Sequence, residues 1–183
     1  DSLNSVFRAV SRRVDAYMVF IEERKPKFLA HEVMLYHNKL GWAGTADAVV
    51  EMPLTDKETK SFKRKSCRCS RWLIDYKTGN EYKTEHTLQL ISYAILWNQL
   101  FPEKRINYVG GLYLKDTWRS VPKYKFVSHQ VTQKLIGKWL QVYQMWNSLH
   151  SDKNGVLIHP RIPIEPTSYW EIKQKEKHNN GRL

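Results

Sequence analysis

Apolar side chains recur at three- and four-residue steps across positions 5–23: Val6, Phe7, Val10, Val14, Met18 and Ile21, with Arg8, Arg12, Arg13 and Asp15 on other faces. That period predicts an amphipathic helix, ended by Arg24-Lys25-Pro26 because proline disfavours helix at the residue before it. The pattern then becomes strand-like over 28–37 and again over 42–52, joined by the polar turn His37-Asn38-Lys39, so a hairpin is expected. Residues 55–71 carry many lysines and arginines with little hydrophobic period, which predicts a loop or hairpin tip. Trp72-Leu73-Ile74 opens a third, buried strand that delivers Asp75 and Lys77 and is broken by Thr78-Gly79-Asn80. A helix follows over 84–100, with Leu88, Ile91, Ala94 and Ile95 inward and Pro102 closing it. Strands are expected over 106–114 and, after the turn at Lys115-Asp116, over 124–127. A long helix is expected over 128–149, with Leu135, Ile136, Trp139, Leu140, Val142, Tyr143 and Trp146 as its apolar set.

This order suits a mixed α/β sandwich. We expect one domain over 1–183, its core at about 28–127 and a helix with a basic tail over 128–183, polar and frayed from Lys173 onward. A chain of 183 residues buries a substantial core without staples. The 7 Trp, 10 Tyr and 6 Phe argue for a folded globule. The formal charge of +12 changes the picture most, because it attracts polyanions at long range, nucleic acid first and anionic membrane second. Cys67 and Cys69 are too close for an easy mutual disulfide and too few for an iron–sulfur cluster or a four-cysteine zinc site. Two free thiols fit a reducing, intracellular compartment. No apolar run is long enough to span a bilayer, so no membrane partner is expected.

The candidate chemistry lies where charges emerge from buried runs. In a strand, residues two apart share a face, so Asp75 and Lys77 project together while Tyr76 points away. Asp47, reached through Gly44-Thr45-Ala46, offers a second carboxylate from the neighbouring strand. Two carboxylates, the main-chain carbonyl of Tyr76 and water make a plausible Mg²⁺ or Mn²⁺ site. Glu32, on the strand before, completes that metal or holds a second. Lys77 orients a water or balances charge growing on phosphate. On the next helix His86, Gln89 and Tyr93 recur at three and four residues, one face able to meet phosphate or a base; the alternative is a helix face with Tyr93 as plain core. Lys63, Arg64 and Lys65 are candidate phosphate-backbone contacts, against the alternative of a solvated loop.

Gly44-x-x-Asp47, then Asp75-Tyr76-Lys77-Thr78, then Gln89-x-x-x-Tyr93 resembles the PD-(D/E)XK nuclease superfamily, most closely its RecB-like branch. The similarity covers about 32–114. It implies a restriction-endonuclease-like core, a central mixed sheet flanked by helices. It implies Asp47 and Asp75 as metal ligands, Lys77 as the catalytic lysine, Gln89 and Tyr93 as DNA contacts or site supports, and Glu32 at the first acidic position. The function implied is a metal-dependent deoxyribonuclease acting on single-stranded or duplex ends, an exonuclease of recombination, repair or replication. Helicases and recombination proteins are the protein partners it suggests, in the cytoplasm and nucleoid, or in the nucleus or mitochondrion of a eukaryote. Two departures stand out: no histidine precedes His31, and the four cysteines that hold an iron–sulfur cluster in many relatives are absent. An inactive DNA-binding module and an endonuclease or resolvase with the same site are the alternatives.

Overall fold

The computed structural model describes residues 2–37, 40–63, 70–79, 83–117 and 121–151. Five strands form one mixed sheet in the order β1-β2-β3-β4-β5: β1 Lys27–His37, β2 Trp42–Met52, β3 Ser70–Lys77, β4 Tyr108–Leu114 and β5 Tyr124–Gln130. Helices α1 Ser2–Arg24, α2 Asp56–Ser61, α3 Thr84–Leu100 and α4 Gln133–His150 complete it. β1–β2 and β4–β5 are antiparallel neighbours; β3 and β4 are parallel, and α3 supplies the long crossover that a parallel pair needs.

Each face of the sheet has its own core. Val33, Leu35, Val49, Leu73 and Val109 pack under α3, through Leu90, Ile91, Ala94 and Trp97, with Leu135, Ile136 and Trp139 of α4 alongside. On the other face Ala48, Val50, Trp72, Ile74 and Leu112 pack against Phe20 of α1. Gly110 permits Phe126 to cross the strand there, since a Cβ would lie 2.1 Å from its Cζ. Above Phe126 and Trp72 sits the Arg24 guanidinium, which donates to both carboxylate oxygens of the buried Glu58.

The expected elements all form, with four differences. Residues 56–61 are helical, not loop: Thr55 and Glu58 make a reciprocal capping box, and Glu58 is drawn inward by Arg24. β5 runs on to Gln130, paired with Tyr108, and α4 starts later than position 128, where Thr132 caps the amide of Leu135. The apolar stripe of α1 is not its buried face: Val6, Phe7, Val10, Val14 and Met18 are exposed, and the helix packs through Ala16 and Phe20 in its second half. In α4, Val142 and Trp146 of the expected apolar set are likewise exposed. Among the described residues no helix is long and apolar enough to cross a membrane. Asn38, Lys39, Asn80, the two cysteines and the tail from Lys173 lie outside the described residues.

Candidate active site

The β2–β3 ladder runs from Met52–Ser70 to Ala48–Ile74, whereas the β3–β4 ladder continues to Lys77–Tyr113. Asp47 stands where β2 leaves β3. Its carboxylate bridges the parting strands, Oδ2 accepting from the backbone N–H of Tyr76 at 2.6 Å. The in-and-out alternation of β2 slips here: Ala46 belongs to the core under α3, Ala48 to the core under α1. β1 slips at the same level, because Ala30 and Val33 both face α3. Glu32 lies in that slip with a left-handed backbone, φ 47°, a conformation that costs a residue with a Cβ about 1–2 kcal/mol. A strained residue level with Asp47 marks this end of the sheet as a place shaped for something other than packing.

Asp75 and Lys77 share the α3 face with Leu73, as the strand period requires. Lys77 Nζ lies 2.7 Å from Asp75 Oδ2 and donates to Gln89 Oε1 at 2.9 Å. Gln89 Nε2 in turn donates to the Tyr93 hydroxyl at 2.9 Å. The lysine can only donate, so it fixes which way the Gln89 amide points. Tyr93 completes the chain by lying against Gly44, where a Cβ would stand 2.3 Å from ring Cε1. The glycine that opens the first motif therefore makes room for the tyrosine that closes the third. Tyr76 points to the opposite face, edge-on to Tyr17 of α1, and burial raises its phenol above the usual range.

Asp75 is 4% exposed. Burial is the main cause raising its carboxyl above the usual carboxylate range, with a smaller upward contribution from Asp47; Lys77 and His86 oppose it. The contact to Lys77 is ionic without hydrogen-bond geometry, so buried Oδ2 has no hydrogen-bond partner. Lys77 is the cation that meets this buried oxygen, and burial still outweighs it in raising the carboxyl.

The chain matches no protein-family model and no curated protein.

Of the residues singled out in the sequence, Asp47, Asp75, Lys77, Gln89 and Tyr93 come together. His86 joins them one turn earlier on α3, its Nδ1 2.6 Å from the hydroxyl of Tyr113. Tyr113 is fully buried and was missed: it sits on β4 level with Lys77, a relation that appears only once β3 and β4 are known to be parallel neighbours. Glu32 is exposed, and among the described residues no group of three or more His, Cys, Asp or Glu side chains gathers at metal-binding distance. Asp47 and Asp75 remain as the carboxylate pair, with the Tyr76 carbonyl as a third oxygen. That donor set fits a hard divalent ion, since Mg²⁺ is commonly held by one or two carboxylates and keeps several waters. His31 stacks on Phe28. Lys63 follows Phe62, which stacks on Tyr108 at the far end of the sheet, so it stands apart from this cluster. Arg64 and Lys65 lie outside the described residues.

Proposed function

We propose that this protein is a Mg²⁺- or Mn²⁺-dependent deoxyribonuclease with a restriction-endonuclease-like core, of the RecB-like kind within the PD-(D/E)XK superfamily. The observation that carries the reading is the line that runs from Asp75 through an ion pair to Lys77 and by hydrogen bonds to Gln89 and Tyr93, beside Asp47, which gathers all three motifs at one strand divergence. A bound divalent ion supplies charge to polarise the scissile phosphate and lowers the pKa of a water. Asp47 and Asp75 would hold it, together with the Tyr76 carbonyl. Lys77 is fixed between a carboxylate and an amide, so its ammonium is positioned before substrate arrives and meets developing negative charge without reorganisation. Gln89, through Lys77 and Tyr93, is the positioning residue of that arrangement. DNA as the polymer, end-directed cutting in recombination, repair or replication, and helicases or recombination proteins as partners are what the family resemblance adds.

The test is cleavage of 5′- and 3′-labelled single-stranded, linear duplex and circular DNA with Mg²⁺, Mn²⁺ or EDTA, beside Lys77→Ala. Cutting that needs metal and is lost in the variant is the expected result, and the labelled end gives polarity. Cutting of circles would make the enzyme an endonuclease. Binding of every substrate with no cutting would replace this reading with a binding module.

A further inference from the structure

The register across the sheet places three residues in one row: Lys77 on β3 pairs with Tyr113 on β4, which pairs with Lys125 on β5. Neighbouring strands lie about 4.8 Å apart, so Lys125 is about 10 Å from Lys77 along that row. Its face follows from its neighbours. Tyr124 and Phe126 both meet Phe20 of α1, so Lys125 between them projects to the other face, which carries Lys77, His86 and α3. Lys125 is exposed and makes no ion pair among the described residues. Lys123, two residues earlier and also exposed, repeats the charge about 7 Å further along the chain. Between the two lysines of the row Tyr113 is buried beneath half-buried His86, whose Nδ1 lies 2.6 Å from the Tyr113 hydroxyl.

We infer that Lys125 is a phosphate-binding residue, holding the backbone of the nucleic-acid strand to one side of the bond to be cut, with His86 between. The inference rests on the proposed nuclease reading. A separation of about 10 Å is too long for one phosphate to meet both lysines directly, so Lys125 would hold a phosphate other than the scissile one. Lysines on edge strands also discourage pairing with other chains, but that role predicts a change in self-association and none in salt dependence.

The experiment measures binding separately from cutting. Anisotropy titrations of labelled single-stranded and duplex oligonucleotides are run on the full chain with Ca²⁺ in place of Mg²⁺, across a series of salt concentrations. The proteins are wild type, Lys125→Ala, Lys125→Arg and, as a control at the far end of the sheet, Lys27→Ala. We expect Lys125→Ala to weaken binding about fivefold and to lower the salt slope by about 0.7 for single strands or 0.9 for duplex. Lys125→Arg should restore the slope, and Lys27→Ala should leave it unchanged. In Mg²⁺ the same Lys125→Ala change should raise KM and leave kcat unaltered. An unchanged slope in Lys125→Ala overturns the inference. If wild type binds without cutting, the nuclease reading fails while the slope still decides Lys125. If wild type binds neither substrate, both are overturned.

Discussion

Gly44→Ala tests whether the three motifs act as one unit. Gly44 does not have a positive φ, so its backbone accepts alanine; the obstacle is space. The new methyl would lie 2.3 Å from Tyr93 Cε1, 3.1 Å from Cζ and 3.2 Å from the hydroxyl oxygen. Non-bonded carbons settle at about 3.5–4.0 Å, so the ring must move by about 1 Å or more. Overpacking of that kind costs about 1–3 kcal/mol. For a chain of this size each kcal/mol lowers Tm by about 2–4 °C. The displaced ring takes its hydroxyl away from Gln89 Nε2, now 2.9 Å distant, and Gln89 is what holds Lys77 on its second side. A 1 Å misplacement of a reacting group can cost about 100-fold in rate, so metal-dependent cleavage should fall toward that value. The assay pairs thermal unfolding with cleavage for Gly44→Ala, Tyr93→Leu and the double variant. Leucine removes the ring atoms that the methyl strikes, so the two changes should couple by about 0.5–3 kcal/mol in stability. On the Tyr93→Leu background Gly44→Ala should cause no further loss of rate. A Gly44→Ala protein with wild-type Tm and rate, or strictly additive effects, would refute the contact and the linkage built on it.

Asp75→Asn should stabilise the metal-free protein while abolishing cleavage. Burial raises the folded carboxyl above its unfolded value of 3.8, so the folded state binds the proton more tightly and wild type loses stability as pH rises from about 4 through the folded pKa. The Tm advantage of Asn in EDTA should be absent at pH 3 and grow with pH; equal Tm values at pH 7 would contradict it. Arg24→Met leaves Glu58 buried without its cation and should cost about 3–5 kcal/mol in urea unfolding, with Arg24→Met/Glu58→Met recovering much of that loss; an effect below 1 kcal/mol would show the pair to be solvated. Glu32→Gly relieves a left-handed residue but adds backbone freedom of about 0.5–1 kcal/mol to the unfolded chain. Its stability should therefore stay within about 1 kcal/mol of wild type, and a rate unchanged at limiting Mg²⁺ would remove Glu32 from the metal set.

Where the sequence was legible, a single local period carried the information. The face shared by Asp75 and Lys77 follows from the two-residue repeat of a strand, and the alignment of Gln89 with Tyr93 from the helical repeat; both hold in three dimensions. The third strand announced itself because Trp72, Leu73 and Ile74 are buried on both faces. What escaped was information held between elements. Glu58 reads as a surface acid in a basic loop until Arg24, from a helix 34 residues earlier, is placed beside it. The α1 stripe reads as a buried face, but only the second half of that helix reaches the sheet, and a small residue, Ala16, is what lets it approach. Tyr113 and Lys125 have no local signature at all. They acquire meaning from strand order, which a linear pattern does not contain.

The formal charges at the site explain why such an arrangement suits cutting better than holding. Asp47, Asp75 and Lys77 sum to one negative charge at the point where the sheet opens. Without a cation this centre repels phosphate, which a protein built only to bind nucleic acid has no reason to maintain against a chain charge of +12. With a divalent ion the centre becomes singly positive and is balanced by one phosphodiester. Burial sharpens the contrast, because Lys77 offsets the buried charge of Asp75 only in part, and a second cation acts on it in a low-dielectric setting. Affinity for substrate at this centre should therefore depend steeply on divalent metal, while affinity at Lys125 should depend on salt alone. Measuring the two dependences on one oligonucleotide separates the proposed reacting centre from the proposed holding surface.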